Sequence, residues 1–318
     1  MKLGTDFSGI GSPEMALKYL GINFESIFAC EIDKYARQSF VQLHKPKKFY
    51  NDITTRNHKE VEQLDLYIAG FPCQAFSMAG KRLGFEEARG TLFFNVAEFI
   101  KINQPKVFIL ENVKGLLSHN FGKTFQTIID ILINGGGTIN SQISFDMFDD
   151  GLGYHIYYKV LNTKDFGIPQ NRERIFIIGF KDYREFSFPK PIELKLKLGD
   201  ILQDNPKSKY YLSDKGIENL NKNQEFNKFN PLNKESELAA CITARCNKVS
   251  NDNNFIKNKK KIRRLTPLEC WRLQGFRDED FFSVKDVSDT QLYKQAGNSI
   301  TVNVLMELFK KIYANHNK

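Results

Sequence analysis

The residues best suited to covalent chemistry lie in Phe71-Pro72-Cys73-Gln74, which follows an apolar, strand-forming run. A cysteine thiolate is a strong nucleophile, although a single cysteine is more often a small buried apolar residue. This cysteine follows a proline and precedes a segment, 75–91, that contains Gly80, Gly84 and Gly90. Such a composition is typical of a loop that closes over a substrate. The pattern therefore indicates a nucleophile at a ligand crevice, past the carboxyl end of a strand.

Two further stretches offer an acid and two cationic groups. Glu111-Asn112-Val113 ends one apolar run, and Gln170-Asn171-Arg172-Glu173-Arg174 begins another. Residues two apart in an extended segment share a face, so the glutamine and both arginines of the second stretch should point the same way. Taken singly, the glutamate could be a helix cap and the arginines a surface pair.

One reaction that would need all of these groups is methyl transfer to carbon 5 of cytosine. Addition of a thiolate to carbon 6 converts the ring into an enamine that can attack a sulfonium methyl group. A carboxylic acid at ring nitrogen 3 and an arginine at the carbonyl oxygen would stabilise the charge that this addition creates. The reacting atoms cannot be reached inside a duplex, so the base would have to be flipped into the pocket.

The beginning of the chain has the pattern of a nucleoside-binding turn. Asp6-Phe7-Ser8-Gly9-Ile10-Gly11 follows the first apolar run, and glycines there let the backbone approach a ligand at a helix N-terminus. A dinucleotide fold would carry a third glycine where this chain has Pro13-Glu14, which disfavours hydride transfer. Glu31 and Asp52 follow later strands, where an acid can bind ribose hydroxyls. The alternative is a packing turn with two solvated acids.

The pattern of strands and helices that must position these residues predicts an α/β fold. Over the first 180 residues short apolar runs alternate with helical stretches, the pattern of a parallel sheet with helices on both faces. The predicted strands are Lys2–Phe7, Ser26–Cys30, Leu64–Ala69, Lys106–Leu110, His155–Leu161 and Arg174–Gly179. The predicted helices are Glu14–Leu20, with Ser12-Pro13 as its start, Thr91–Ile102, Lys123–Ile133 and Thr301–Tyr313. The stretch 189–261, rich in Asn, Lys and Ser, predicts a smaller, irregular domain.

Composition narrows the possible environments and partners. The 318 residues carry a net charge of +9, which suits a polyanionic partner, although the basic run 257–264 is as consistent with a solvated surface as with phosphate contacts. The five cysteines include no C-x-x-C pair, so we expect neither a disulfide framework nor a metal site. No apolar run is long enough for a membrane span and no signal peptide is evident, so we expect a soluble, cytoplasmic protein.

Together and in this order, the motifs resemble the bacterial cytosine-5 DNA methyltransferase family of restriction-modification systems. The matching stretches are 6–11, 70–94, 111–113, 165–179, 263–276 and 295–304. The resemblance implies a Rossmann-like, S-adenosylmethionine-dependent α/β domain of residues 1–186 plus 296–318. It further implies an irregular target-recognition domain over 187–262 and a connecting segment over 263–295.

The resemblance also assigns roles to individual residues. Cys73 would be the nucleophile, Glu111 would contact nitrogen 3, Arg174 would contact the base carbonyl and Arg172 would support the same region. S-adenosylmethionine would be bound by Phe7, Gly9, Gly11, Glu31, Ile32, Asp52, Asn298 and Ser299. Double-stranded DNA would be contacted by Gln74, Ser77, Arg89, Thr243 and Arg245. We expect a monomer without metal, encoded by a prokaryote or a phage.

Two other functions fit part of the pattern. An RNA branch of the same family acts on transfer RNA and keeps these motifs, but its nucleophile is followed by a further small motif that we do not find here. A non-catalytic binding protein would lack the nucleophile or the acid, and this chain has both. The target sequence, a partner restriction enzyme and the role of Gly135–Leu152 stay open at this stage.

Overall fold

The computed structural model describes residues 1–72, 92–139, 143–146, 151–222, 231–248, 254–258 and 261–313. The strands are β1 Lys2–Asp6, β2 Glu25–Cys30, β3 Lys48–Tyr50, β4 Leu66–Ala69, β5 Val107–Val113, β6 Gly136–Ile139, β7 Ile143–Asp146, β8 His155–Asn162, β9 Gln170–Asn171, β10 Glu173–Phe180, β11 Ala239–Ala240, β12 Phe255–Asn258 and β13 Lys261–Arg264. Seven of them form a central sheet in the order β3-β2-β1-β4-β5-β10-β8. The others pair as β11 with β9, β12 with β13 and β6 with β7.

Helices cover both faces of the central sheet. They are α1 Ser12–Tyr19, α2 Lys34–Leu43, α3 Leu92–Asn103, α4 Lys123–Asn134, α5 Leu198–Ile201, α6 Asp214–Lys222, α7 Pro267–Arg272, α8 Asp278–Ser283, α9 Asp289–Asn298 and α10 Val302–Tyr313. Short 3-10 helices lie at His58–Glu60, Lys114–Leu117, Thr163–Phe166 and Ser208–Tyr210. Apolar residues of α1 and α10 pack on one face, and those of α3 and α4 pack on the other. No helix in the described part of the chain is long and apolar enough to cross a membrane.

The predicted strands and helices are present, but the parallel sheet is only partly correct. β1, β2, β3, β4 and β5 pair in parallel, whereas β10 runs antiparallel to both β5 and β8. The connection from β8 to β10 spans only residues 163–172. A parallel crossover needs a dozen or more residues, usually with a helix, so this connection reverses the chain instead. The start of β10 therefore lies beside the end of β5.

The first helix begins one residue earlier than the sequence predicted. Gly11 is its N-cap, with φ 81°, and Ser12 is already helical, with Pro13 in the first turn. Proline fits there because the first helical N–H groups have no partner within the helix. The helix therefore starts directly at the glycine turn.

A buried carboxylate holds together several segments of the chain after residue 186. Glu269, at the start of α7, is fully buried and accepts hydrogen bonds from both Nη atoms of Arg263, at 2.8 and 2.9 Å. It also accepts from the backbone N–H groups of Gln203 and Thr266, each at 2.7 Å. Three separate segments thus end on one side chain, which fixes their relative positions.

We expect Glu269→Gln to lower the free energy of unfolding by up to about 5 kcal/mol, because it leaves the buried Arg263 guanidinium without its counter-charge. Urea unfolding midpoints of the variant and the parent would measure the change. The control is Glu279→Gln, since Glu279 is exposed and its ion pair with Arg277 should contribute about 1 kcal/mol or less. Equal loss in the two variants would contradict this role.

A second buried acid lies in the first turn of α1. Glu14 is fully buried; it accepts a hydrogen bond from the Thr5 hydroxyl at 2.9 Å, and its other oxygen, Oε2, has no hydrogen-bond partner in the described part of the chain. Burial removes the solvation of the charged form and raises the pKa of Glu14 to about 7. Because the folded pKa lies above the unfolded value of 4.5, the folded state is favoured below that value and loses this advantage as pH rises through about 7.

We therefore expect Glu14→Gln to gain stability relative to the parent as the pH is raised from about 5 to about 8, by roughly 3 kcal/mol. The amide keeps an acceptor for Thr5 but cannot ionise. Chemical denaturation of both proteins across this pH range would give the difference. A difference that does not change with pH would show that the buried carboxyl does not titrate there.

Candidate active site

The loops that follow β1, β2, β4 and β5 meet the beginning of β10 at one edge of the sheet, around a cavity of about 330 Å³. The lining residues are Phe7, Gly9, Glu31, Asp33, Ala36, Gly70, Phe71, Pro72, Glu111, Asn112, Val113, Arg172, Arg174, Lys294, Gln295, Gly297 and Asn298. A larger groove of about 710 Å³ lies at the opposite edge, near Met1 and Lys106, and contains none of the predicted site residues. The cavity at the carboxyl ends of the strands is therefore the candidate site.

The first side of the cavity is a turn held by Glu31. Its Oε2 accepts from the backbone N–H of Gly9 at 2.9 Å, and its Oε1 accepts from the N–H of Asp33 at 2.8 Å. Phe7 has φ 53° and Gly9 has φ 55°, so the chain turns sharply as it leaves β1. The carboxylate thereby fixes this turn relative to the start of α2.

Gly11 packs closely against a side chain of the protein, a contact that the sequence did not predict. A Cβ at this position would lie 2.3 Å from the imidazole ring of His44. The ring is buried, and its Nε2 lies 3.2 Å from the backbone oxygen of Ile10. The close neighbour of Gly11 is therefore a side chain of the protein, whereas a Cβ at Gly9 would meet no atom of the described residues within 4 Å.

A buried ion pair lies directly beneath the same turn. Both oxygens of Asp6 accept from the guanidinium of Arg56 at 2.7 Å, and Oδ2 also accepts from the Tyr67 hydroxyl at 2.6 Å. The guanidinium carbon lies 4.4 Å from the ring centre of Phe28 and 4.6 Å from that of Phe99. Both side chains of the pair are fully buried. Asp6 thus positions the turn through contacts inside the protein.

The second side of the cavity carries the acid and an arginine in contact. Arg174 Nε lies 3.1 Å from Glu111 Oε1. Burial raises the pKa of Glu111 from its ordinary value, and the nearby charges of Arg174 and Arg172 act in the opposite direction. Burial has the larger effect, so the carboxyl keeps its proton to a higher pH than an exposed glutamate.

Asn112 connects the acid to the stretch that contains the predicted nucleophile. Its side-chain amide donates to the backbone oxygen of Phe71 at 2.9 Å. Gly70 lies close as well, since a Cβ there would be 3.3 Å from Glu111 Oε2. The chain that leads into position 73 is therefore held against the end of β5.

Both Nη atoms of Arg172 are bonded within the protein, whereas its buried Nε has no hydrogen-bond partner among the described residues. Its guanidinium donates to the backbone oxygens of Ile242, Gly297 and Ser299 at 2.9, 3.2 and 2.9 Å, and to the sulfur of Cys241 at 3.3 Å. Gln170 reaches the same place, because its Oε1 accepts from the Ile242 N–H at 2.9 Å.

The turn after Ile242 also packs tightly against the C-terminal segment. A Cβ at Gly297 would lie 2.1 Å from the backbone carbon of Thr243 and 2.2 Å from the nitrogen of Ala244. Thr243 and Arg245 are exposed. The backbone of this turn is thus seated on the C-terminal segment, with two side chains directed outward.

The remaining predicted residues differ in their surroundings. The Ile32 side chain is 73% exposed, and Asp52 accepts from the N–H and hydroxyl of Thr54 at 2.9 and 2.8 Å. Asn298 is exposed at the cavity, while buried Ser299 donates its hydroxyl to Gln295 O at 2.8 Å. Cys73, Gln74, Ser77 and Arg89 lie outside the described residues.

Sequence reasoning missed several residues at the site. Lys294 Nζ pairs with Asp33 Oδ2 at 2.5 Å across the cavity mouth, and Gln295 donates to the Tyr35 backbone oxygen at 2.9 Å. Asp33 was detectable, because aspartate is a common N-cap directly before a helix, and its side chain does accept from the Tyr35 N–H at 2.8 Å. Arg56 had no such signal, since it lies in a loop without a motif.

Comparison with known proteins identifies relatives over nearly the whole chain. Residues 5–314 match the family described as C-5 cytosine-specific DNA methylase. The chain is 39% identical to the Type II methyltransferase M.NgoBI of Neisseria gonorrhoeae, over 96% of this chain and 90% of that protein. It is 36% identical to the Type II methyltransferase M1.ScrFI of Lactococcus lactis subsp. cremoris, over 96% and 76% of the two chains.

Solved structures share the fold. The crystal structure of the S. pombe Dnmt2 methyltransferase matches with a TM-score of 0.78 at 20% identity, over 100% of both chains. A putative DNA modification methyltransferase encoded within an E. coli prophage matches with a TM-score of 0.69 at 18% identity, also over 100% of both chains. The expected Rossmann-like methyltransferase fold is thereby confirmed.

Proposed function

Because this chain belongs to the C-5 cytosine-specific DNA methylase family, we propose that it flips a cytosine out of duplex DNA and methylates carbon 5 with Cys73 as nucleophile and S-adenosylmethionine as donor. Methylation of DNA cytosine is the activity of the family, and the proposal concerns the groups that carry it out. The observation that supports it most is the contact between Glu111 and Arg174 at the cavity, next to the backbone that leads to position 73.

Glu111 and Arg174 would bind neighbouring atoms on one edge of the base. Burial raises the pKa of Glu111, and in its protonated form this carboxyl would donate a hydrogen bond to ring nitrogen 3. Arg174 Nε pairs with Glu111, Nη1 donates to the Glu173 backbone oxygen at 2.8 Å, and Nη2 lies 3.9 Å from the Cys241 sulfur. The remaining N–H donors of its guanidinium would bind the carbonyl oxygen of the base. Both contacts stabilise the negative charge that arises when a thiolate adds to carbon 6.

The covalent cycle would need only the methyl donor and a base. The Cys73 sulfur would form a bond to carbon 6, and the electron pair at carbon 5 would take the methyl group, whose bonding electrons would stay on the sulfonium sulfur as a neutral thioether. Carbon 5 next loses its proton to a base, which restores the double bond and expels the thiolate. Arg172, through its contacts with Ile242 and Ser299, positions the strand from which Arg174 projects.

The cavity residues fit the methyl donor. The open space at Gly9 would let a ligand approach the backbone there. A carboxylate has about four acceptor positions, and Glu31 uses two of them for N–H groups of the protein, so ribose hydroxyls can bind to the others. Phe7 and Asn298 line the same space. When bound, S-adenosylmethionine supplies a methyl group on a sulfonium.

We further propose that different parts of the chain form separate functional domains. Residues 1–186 and 296–318 would catalyse, 187–262 would read the target sequence with Thr243 and Arg245 at the DNA, and 263–295 would connect the two. Several relatives are Type II methyltransferases. A restriction-modification role in the cytoplasm of a prokaryote, where the DNA lies, follows by analogy.

We expect Glu31→Ala to weaken S-adenosylmethionine binding by about tenfold or more, because hydrogen bonds to a charged group each contribute about 1.5–3 kcal/mol. Titration calorimetry would measure the affinity. The matched control is Glu25→Ala at the other end of β2, where the side chain is exposed and pairs with Lys47. Unchanged affinity in Glu31→Ala would remove this residue from the cofactor site.

The covalent step can be tested with duplex DNA that carries 5-fluorocytosine at the target. Fluorine cannot leave carbon 5 as a cation, so the enzyme and S-adenosylmethionine should form a denaturation-resistant adduct. Bisulfite sequencing of DNA from expressing cells would first locate the target. Cys73→Ala should abolish the adduct, while Cys241→Ala, which removes the thiol beside Arg172, should retain it. An adduct mapped to Cys241, or one formed only with fluorinated RNA, would overturn the proposal.

A further inference from the structure

A strained turn between Leu117 and α4 holds an aromatic ring in solvent. Asn120, Phe121 and Gly122 have φ of 50°, 56° and 82°, so three successive residues are left-handed. Glycine and asparagine tolerate this backbone, whereas for phenylalanine it is an outlier that disfavours the folded state. The Phe121 side chain is 97% exposed, so packing inside the protein does not offset the strain. This combination indicates a contact made with another molecule.

The turn is built as a rigid feature. The Gly122 N–H donates to His119 O and the Lys123 N–H donates to Asn120 O, each at 3.1 Å. The His119 Nδ1 lies 2.6 Å from the Thr124 hydroxyl. These contacts fix the backbone on both sides of Phe121, so the ring projects in a set direction before any partner binds.

The position of the turn limits what the partner can be. The chain reaches it from the end of β5, directly after Glu111, and Val113 both lines the cavity and is 40% exposed. The turn therefore lies at the edge of the sheet where a target base must enter. The stretch 113–129 contains His119, Lys123 and Lys114 and no acidic residue of its own, although Lys114 pairs with Glu173 at 2.9 Å, so the local charge does not oppose a polyanion.

We propose that Phe121 contacts the DNA duplex beside the target cytosine and packs its ring against a neighbouring base or sugar. Aromatic rings stack on any base, and apolar side chains inserted at a base step help to hold a distorted duplex. The contact would stabilise the DNA from which the cytosine has been displaced. This inference rests on the proposed function.

The test compares Phe121→Ala and Phe121→Asn with the parent, using a target duplex of about one to two helical turns. Both variants should bind this DNA about tenfold more weakly, while the slope of the logarithm of affinity against the logarithm of salt concentration stays the same, because no phosphate contact is lost. Asparagine tolerates the left-handed backbone, so Phe121→Asn should melt at or above the temperature of the parent. Loss of DNA affinity together with retained stability excludes a merely structural role.

The matched control is Tyr183→Ala. Tyr183 is also an exposed aromatic, at 74%, but it follows the end of β10 at the opposite edge of the sheet, so its removal should leave DNA affinity unchanged.

Parent-like DNA affinity and turnover in Phe121→Ala would overturn the inference. A parent dimer in sedimentation that Phe121→Ala dissociates would overturn it in favour of self-association. If the parent protein methylates no DNA, the proposed function is refuted. If the parent methylates DNA and Phe121→Ala binds DNA as the parent does, only this contact is refuted.

Discussion

The antiparallel pairing of β10 with β5 is the constraint on which the site depends. In this register Arg174 lies opposite Val113, two residues beyond Glu111. Had β10 been parallel to β5, its first residues would lie at the far edge of the sheet, and the arginine could not reach the acid. The reversal brings the start of one strand beside the end of another. Acid, arginine and the loop from β4 therefore share one cavity.

Around this pair the site is stiffened by buried polar groups. The desolvation of a buried ion pair can exceed the attraction between its charges, so the contact between Asp6 and Arg56 is weak evidence of stability. Its geometry is more informative, because two bonds to one carboxylate allow little rotation where β1 ends. Glu31 holds the turn that follows β1 by accepting a hydrogen bond from the Gly9 N–H. A ligand therefore meets a turn held from two sides.

The sequence predicted most elements because buried strands such as Ile175-Phe176-Ile177-Ile178 are apolar throughout. It did not predict strand direction, which depends on the length of a connection whose ends were not yet known. Asp6 belongs to a recognisable motif, but its partner Arg56 comes from a loop with no pattern of its own. The spacing of Gln170, Arg172 and Arg174 was enough to predict that their side chains share a face. The acceptors of Arg172 could not be predicted, because they lie 70 and 125 residues away along the chain. The roles of Cys73 and the domain division stay predictions.

The seating of Thr243 and Ala244 on Gly297 has a consequence for how such proteins diversify. A methyl group at Gly297 would collide with the backbone of this turn. Arg172 also donates a hydrogen bond to the backbone oxygen of Ile242, the residue before the turn. If residues 187–262 read the target sequence, as we propose, a segment exchanged for this one must keep the same backbone path at Thr243 and Ala244 in order to pack on Gly297. The exposed side chains of Thr243 and Arg245 are not under that constraint. A change of target would then require replacement of this segment alone, and the residues around Glu111 and Arg174 would stay as they are.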